Sequence, residues 1–566
     1  MIAAKRGDFN EISSRFGIDK VTARLIRNRD VVGDEEIEKY LHPSVAGFYS
    51  PCFLKDCEKA ADIILDKIDC GSRIRIIGDY DIDGIMSTYI LVTAFRELGA
   101  DVDYAIPERI KDGYGLNESL IRDAFASGVD TIVTCDNGIA ASEQVRLAKE
   151  LGMTVIITDH HNVPYEDAGG YRRYIVPEAD AVIDPKQEDC GYPYKELCGA
   201  GVAWKLVCML YDMAGYEDEE MYGFLEFAAI ATVGDIVDLK DENRLIVKEG
   251  LERLHRTEHT GLCALIEKCG IEKKQIDTYH IGFVIGPCLN ASGRLDTAEQ
   301  ALRLMCTEER EDALVLAERL RELNEIRKTM TENGVEKAIS IIENSDIAND
   351  RVLVVYLKDT HESLAGIIAG RLRERYGKPV FVLTDSEEGI KGSGRSTEAY
   401  SMYDELVRVG DMLEKYGGHP MAAGLSLKNG RSEELRRRLN ELCSLTEDDM
   451  EPVIHLDMQL PLAYLREDLI NEFELLKPFG KGNEKPLFAD KDVEVRDMRI
   501  IGRNSNILKM RLKDRYGRET EGICFRNIEK LRERVRKDPV VTIAYYPSVN
   551  SYKGVNTIQA VITDCI

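Results

Sequence analysis

The sequence predicts an α/β protein with two α/β lobes joined by a long helix and followed by a small β-barrel. Three observations carry that reading. Between about residue 70 and residue 240, short β-rich runs alternate with helical patterns, the signature of a parallel sheet. From Glu308 to Glu343 the pattern is helical, heavily charged and free of proline, with one glycine, Gly334, as expected of a connecting helix. The last ~110 residues lose the helical period and read as short strands with polar turns.

In the first lobe, Arg73 to Gly78 leads into Asp79-Tyr-Asp-Ile-Asp-Gly84 and then the amphipathic stretch Ile85 to Leu98. Thr131 to Thr134 runs into Cys135-Asp136-Asn137-Gly138, Thr154 to Thr158 into Asp159-His160-His161, and Ala181 to Ile183 into Asp184-Pro185. Each strand ends in acid, and one adds two histidines. Ligands of parallel sheets gather beyond the carboxyl ends of the strands. A second α/β segment follows the long helix: Val352 to Leu357, a helix around Gly366 to Arg375, and Val380 to Leu383. It ends in the glycine-rich Gly392 to Ser396 and Tyr416 to Gly424. The expected divisions are a helical segment over 1–50, a metal-binding lobe over 51–305, the connecting helix over 306–345, a substrate lobe over 346–450 and the barrel over 451–566.

At 566 residues, 44% hydrophobic and 31% charged, the chain is too long for one core and too apolar for disorder. No stretch is long and apolar enough for a bilayer span, and Met1 to Asn10 shows no signal core, so a cytoplasmic protein without membrane partners is expected. Fourteen cysteines occur singly, without a Cys-x-x-Cys pair, which argues against a zinc ribbon and a secreted disulfide framework. The net charge of −26 is unevenly spread. Residues 489–566 hold 16 basic against 11 acidic residues, about +5, leaving roughly −31 on the rest. Net charge therefore neither supports nor excludes a nucleic-acid substrate.

Clustered carboxylates repel unless a cation joins them. Oxygen ligands with one or two imidazoles suit Mn²⁺ or Mg²⁺ better than zinc. Two such ions about 3.5–4 Å apart form the clamp used to hydrolyse phosphate esters. Taken singly, Asp-x-Asp before a helix is often an N-cap and Asp-Asn-Gly a turn. The recurrence of acid at every strand end is what points to metal. His255-Arg-Thr-Glu-His259 misplaces the acid of a zincin helix.

Gly78 to Gly84, Asp136-Asn137, Asp159-His160-His161 and Gly234-Asp235-Ile-Val-Asp-Leu239 resemble the motifs of the DHH phosphoesterases. The resemblance implies that Asp81, Asp83, Asp136, His160 and Asp235 hold two divalent ions, with Asp136 bridging them and Asp79 contributing to the second. It implies that His161 faces the scissile phosphate, and that Asp159 orients a histidine rather than binding metal.

Further segments resemble the branch of that family that degrades single-stranded DNA from the 5′ end. Pro107-Glu-Arg109 and Lys111 to Gly115 resemble a strand-contacting element, in which Arg109 meets phosphate and Tyr114 stacks on a base. Gly286-Pro287 through Asn290-Ala-Ser-Gly-Arg294 resembles an element that recognises the 5′-terminal nucleotide, a role suited to the planar fork of arginine. Relatives commonly carry a basic residue where this chain has Cys288. His361 to Gly366, Gly392-Ser-Gly-Arg395-Ser396 and Gly417-Gly418-His419 resemble a DHHA1 substrate domain, implying contacts from His361, Arg395, Ser396, Gly418 and His419. Leu476 to Asn483 and the barrel after it resemble an oligonucleotide-binding (OB) domain. There Arg499, Arg503, Lys509 and Arg511 are candidate phosphate contacts, and Tyr545, Tyr546 and Tyr552 candidate stacking residues, although each taken singly reads first as a solvated charge or a barrel-core aromatic.

The function so implied is a metal-dependent 5′→3′ exonuclease releasing 5′-mononucleotides, acting in recombination and repair. Expected partners are single-stranded DNA, a single-strand-binding protein and a RecQ-type helicase. Two alternatives are a DHH phosphodiesterase of short oligonucleotides or cyclic dinucleotides, and a non-catalytic scaffold. The scaffold reading suits degenerate relatives that have lost metal ligands, whereas the proposed ligand set is whole here.

Overall fold

The structure is a computed structural model that describes residues 5–109, 111–167, 169–387, 389–451, 453–502, 506–552 and 554–565, with the Tyr552 side chain left aside. The first sheet contains β1 (Ile74–Ile77), β2 (Val102–Ala105), β3 (Thr131–Cys135), β4 (Thr154–Thr158) and β5 (Ala181–Ile183). Its order is β2-β1-β3-β4-β5 and every pairing is parallel. The order reverses between β1 and β3, and a crevice opens at such a switch point beyond the strand ends. Asp79, Asp81 and Asp136 leave the sheet on either side of it.

Three helices position the site: α1 (Ile82–Glu97) and α2 (Gly199–Ala214) lie on this sheet, and α3 (Leu225–Gly234) packs on both. They are apolar nearly all round because each is covered by its neighbours on several sides. A fourth, α4 (Gly286–Leu295), carries Asn290 and Arg294. The connecting helix α5 (Arg310–Glu343) has 34 residues, a length of about 51 Å. Its single glycine, Gly334, lies against Ile368, where a Cβ would come within 2.5 Å of Ile368 Cδ1. Ile368 belongs to α6 (Ala365–Tyr376) of the second lobe.

The second sheet contains β6 (Leu353–Tyr356), β7 (Val380–Ser386), β8 (Gly389–Arg395), β9 (Lys415–His419) and β10 (Ala422–Leu427). It runs β9-β10-β8-β7-β6, with only β6 and β7 parallel. The glycine-rich Gly392 to Arg395 thus lies in strand β8.

The last unit is a closed five-stranded barrel. Its strands are β11 (Phe488–Ile501), β12 (Ile507–Lys513), β13 (Glu519–Cys524), β14 (Val540–Tyr552) and β15 (Val555–Cys565), and the β11–β14 pairing closes the ring. Local sequence holds no hint of where the N-terminal helices go. Ile18, Val21, Leu25, Ile37 and Leu41 share one apolar cluster with Leu469, Phe488, Val541 and Ile562 of the C-terminal unit. Arg29 and Tyr40 both reach Asn483 Oδ1, at 2.8 Å each, so the two ends of the chain form one body.

Candidate metal centre and substrate cleft

The turn after β1 places three carboxylates within one helical entry. Asp81 is the N-cap of α1, its Oδ1 accepting from the amides of Asp83 (2.9 Å) and Gly84 (3.2 Å). The N-cap reading of Asp-x-Asp is therefore true of this residue. Asp83, fully buried, accepts from the first amides of α2, Gly199 and Ala200, at 2.7 Å each. Those unpaired helix N-terminal N–H groups favour its anion. Gly199 is required there, since a Cβ would approach Asp136 Cβ to 2.7 Å.

Asp136 follows β3 with φ of +60°, a conformation unusual for residues other than glycine. Asn137 makes that turn rigid, accepting from Leu116 N and donating to the carbonyls of Ile77 and Cys135. The Tyr114 hydroxyl donates to the Asp136 carbonyl at 2.7 Å and lies 3.2–3.3 Å from the His161 ring nitrogens. Asp235 caps the C-terminus of α3, and the next residue, Ile236, takes a left-handed φ of +61°. A β-branched residue in that region stores strain, here beside a site carboxylate.

Three groups of side chains bring their ligand atoms within 4.8 Å of one another: Asp79/Asp81/Asp136, Asp136/His160/His161 and Asp83/His160/Asp235. Asp136 and His160 each belong to two of them. His160 Nε2 stands 3.0 Å from Asp136 Oδ1, 3.5 Å from Asp83 Oδ2 and 3.9 Å from Asp235 Oδ2. Asp79 Oδ1 and Asp136 Oδ1 are buried and have no hydrogen-bond partner among the described residues. Burial, then mutual repulsion, holds Asp79 and Asp136 well above the usual carboxylate range and raises Asp235 to about 8. Burial lowers His160, which stays neutral with a lone pair to give. Orphaned acceptors, crowded anions and a neutral imidazole fit divalent cations with oxygen preference.

Asp159 is different. It accepts from the amides of Ile139, His160 and His161 and binds His161 Nδ1 at 2.8 Å. Although buried, it is held below the usual range, because the His161 bond and these donors outweigh desolvation. Burial opposes charge on His161 as well, but Asp159 and the site carboxylates overcome it and raise the imidazole to about 9. Asp159 thus orients and charges His161.

Beside this cluster a cleft of about 520 Å³ runs between the lobes, lined by Tyr80, Arg109, Tyr114, Arg294, Lys391 and Arg395 among others. Arg109 stacks over Tyr80, its guanidinium carbon 4.8 Å from the ring centroid. Arg395 is braced by the Gly394 carbonyl at 2.8 Å. Burial, followed by Arg109 and Arg327, pushes Arg294 down to about 10, and Arg395 is lowered by burial, Arg373 and Arg109. Cations gathered at such cost call for an anion.

Family models match residues 73–232 (DHH family, N-terminal domain), 349–445 (DHHA1 domain) and 456–564 (RecJ OB domain). The chain is 36% identical over 557 residues to the single-stranded-DNA-specific exonuclease RecJ of Bacillus subtilis, covering 98% of this chain and 69% of that one. It is 32% identical over 568 residues to the Escherichia coli protein of the same name, covering 95% and 94%. The chain belongs to the RecJ family. A crystal structure of RecJ from Thermus thermophilus in complex with Mn²⁺ superposes with a TM-score of 0.84 at 27% identity, over 100% of this chain and 79% of that one. A Mg²⁺ complex of the same protein gives 0.77.

In this RecJ-family chain, several expected contacts have other duties. Asn290 Oδ1 accepts from Ile82 N at 2.8 Å, fastening α4 to the start of α1. Ser396 is a correction: it is fully buried, and its hydroxyl donates to the Tyr400 carbonyl, so it supports the second lobe from inside. His361 caps the turn at Glu362–Leu364 and lies 2.7 Å from Ser363 Oγ. Gly418 and His419 lie in the exposed strand β9, outside the cleft lining. Tyr545 is a barrel-core aromatic, the reading favoured for it singly, with its hydroxyl on the Leu460 carbonyl at 2.8 Å. Lys509 is ion-paired with Glu521, whereas Arg499 and Arg511 are exposed. Arg503 and the Tyr552 side chain lie outside the described residues. Tyr80, Lys391 and Lys415 line the cleft unforeseen. Tyr80 sits between two motif aspartates and was legible as a neighbour, while the two lysines carry no signal in their local sequence.

Proposed function

We propose that this chain hydrolyses single-stranded DNA from the 5′ end and releases 5′-mononucleotides. The observation that carries the reading is the junction of the two features above: the arginine cleft opens onto the carboxylate cluster, and Tyr80 and Tyr114 belong to both. A phosphodiester bound by the arginines is delivered to the carboxylates at its next linkage. Asp79, Asp81, Asp83, Asp136, His160 and Asp235 are the residues that would hold two divalent ions, Asp136 and His160 each standing in two of the ligand groups. Bound there, Mn²⁺ or Mg²⁺ supplies charge neutralisation on the attacking and leaving oxygens.

The chain's own groups do the rest. His161, kept protonated by Asp159, donates to a non-bridging oxygen of the scissile phosphate and stabilises the charge that develops there. Tyr114 holds the Asp136 backbone and offers an exposed ring face to a base. Arg294, with Arg109 and Arg395, takes the 5′-terminal phosphate and so sets polarity. A cleft closed by two lobes and a rigid helix admits one strand and excludes a duplex, and the barrel guides that strand in. Recombination and repair, a cytoplasmic location, a single-strand-binding protein and a RecQ-type helicase belong to the same proposal and rest on kinship. Among the described residues no helix is long and apolar enough to cross a membrane.

The test follows one long single strand labelled at the 5′ end in one reaction and at the 3′ end in another, with Mn²⁺ and with Asp136→Ala protein as control. Immediate release of labelled mononucleotide from the 5′ label alone, absent in the variant, is the expected result. Early loss of the 3′ label would overturn the polarity. Hydrolysis confined to dinucleotides would move the chain to the short-substrate phosphodiesterases.

A further inference from the structure

Away from the cleft, two thiols face each other where three helices meet. Cys269 caps the C-terminus of the helix Thr260–Lys268, and its sulfur lies 3.9 Å from that of Cys288 on α4. Cys288 is buried, 2% exposed, and receives a hydrogen bond from Asn324 Nδ2 of α5 at 3.3 Å. Cys269 is only partly covered. Other buried cysteines face oxygen instead: Cys135 and Cys198 the hydroxyls of Thr88 and Thr232, Cys57 and Cys190 the carbonyls of Lys205 and Phe53.

The surroundings give the two sulfurs different characters. Cys269 is held below the ordinary thiol range, first by the hydrogen bond from Cys288 and then by Arg321 and Lys328 of α5, against the opposing effect of burial. That same hydrogen bond, together with burial, pushes Cys288 up. A partly exposed sulfur flanked by two cations, beside a buried thiol, is the arrangement of an attacking and a resolving cysteine.

We propose that Cys269 and Cys288 are a peroxide-oxidisable pair that closes to a disulfide, tying the segment after Thr260–Lys268 to the helix that carries Asn290 and Arg294. The Cys269 thiolate attacks one oxygen of hydrogen peroxide, the O–O bond breaks, and sulfenic acid and hydroxide form. The Cys288 sulfur then attacks the Cys269 sulfur and displaces a second hydroxide. The thiol protons leave with the hydroxides as water. Two thiols are oxidised by two electrons in all, one peroxide is reduced to two waters, and one S–S bond is made. The sulfurs close from 3.9 Å to about 2.05 Å. The proposal does not depend on the nuclease reading.

The test exposes the full-length protein to hydrogen peroxide, blocks remaining thiols by alkylation and maps peptides by mass spectrometry without reduction. The expected product is one cross-linked peptide pair holding Cys269 and Cys288, lost on adding dithiothreitol. Cys269→Ser should abolish it and leave Cys288 reduced. Cys288→Ser, checked for folding by circular dichroism, should strand Cys269 as a sulfenic acid that dimedone traps. Cys269 alkylated no differently from the exposed Cys52 and Cys70, with no cross-link, would overturn the proposal. Pairing of Cys269 with another cysteine, Cys263 foremost, would overturn it equally.

Discussion

Arg294 and Ser363 bind each other twice across the two lobes: the Arg294 guanidinium donates to the Ser363 carbonyl at 3.0 Å, and the Ser363 hydroxyl donates back to the Arg294 carbonyl at 3.1 Å. His361 Nδ1 lies 2.7 Å from the same hydroxyl. One serine therefore registers the second lobe against the end of α4. Ser363→Ala removes one interlobe bond, worth about 1 kcal/mol. The loss should fall on alignment of the cleft, raising KM for a long single strand roughly fivefold with kcat within about twofold. A lower kcat at unchanged KM would place the contact in the chemistry instead.

Arg294 itself should matter more. Its charge is held in the cleft against burial and three neighbouring arginines, an arrangement relieved by a bound phosphate. Arg294→Ala forfeits a charge-assisted contact worth about 1.5–3 kcal/mol. Cleavage of a 5′-phosphorylated strand, measured as kcat/KM, should drop roughly 10- to 100-fold. A 5′-hydroxyl strand should lose much less, so the variant ceases to distinguish the two ends. An equal loss on both substrates would remove Arg294 from end recognition.

How much of this was legible depends on how local each signal is. The sheet and its acids were, because βαβ alternation and strand-end Asp79, Asp136 and Asp159 are patterns of adjacent residues. The split between Asp159 and its neighbours was visible only as chemistry, and three backbone donors beneath it are a fact of folding. Lys391 and Lys415 enter the cleft because β8 and β9 flank β10 in the second sheet, both lysines lying in register with Ser426. Ser396 read as a polar residue of a glycine-rich motif, and burial decided its role. Packing of the N-terminal helices on the barrel joins residues more than 400 apart in sequence, which no local period encodes.

Without metal, the carboxylate cluster should weaken the fold as pH rises. Asp79, Asp83 and Asp136 lie above their ordinary values, and Asp184 and Asp235 reach about 8, with burial the leading cause for each. A raised carboxyl pKa favours the folded state below the unfolded value near 3.8, and that contribution is lost as pH climbs through 8. The melting temperature of metal-free protein should therefore fall between pH 5 and about 9. Mn²⁺ binds the deprotonated set and should raise it most at the alkaline end. Asp136→Asn should melt higher than wild type in chelator at pH 8 and lose most of the response to Mn²⁺. A metal-free melting temperature that rises with pH would contradict the crowding seen at the site.

The charge on His161 gives the last prediction. Burial alone would strip its proton, and it stays charged up to about 9 because Asp159 is bonded to Nδ1 and Asp235 and Asp83 lie nearby. Bound cations cancel part of that carboxylate field, so 9 is an upper bound for the working enzyme. If protonated His161 stabilises the phosphate oxygens, kcat/KM for single-stranded DNA should fall on an alkaline limb at or below pH 9. Asp159→Asn keeps the shape of the acceptor and removes its charge. The largest raising effect on His161 then disappears while desolvation persists, and the alkaline limb should move down by more than about one pH unit. As pH falls below the displaced limb, the variant should recover most of its lost rate. Loss of activity that is the same at every pH would mean that Asp159 only shapes the turn and that the proton on His161 takes no part.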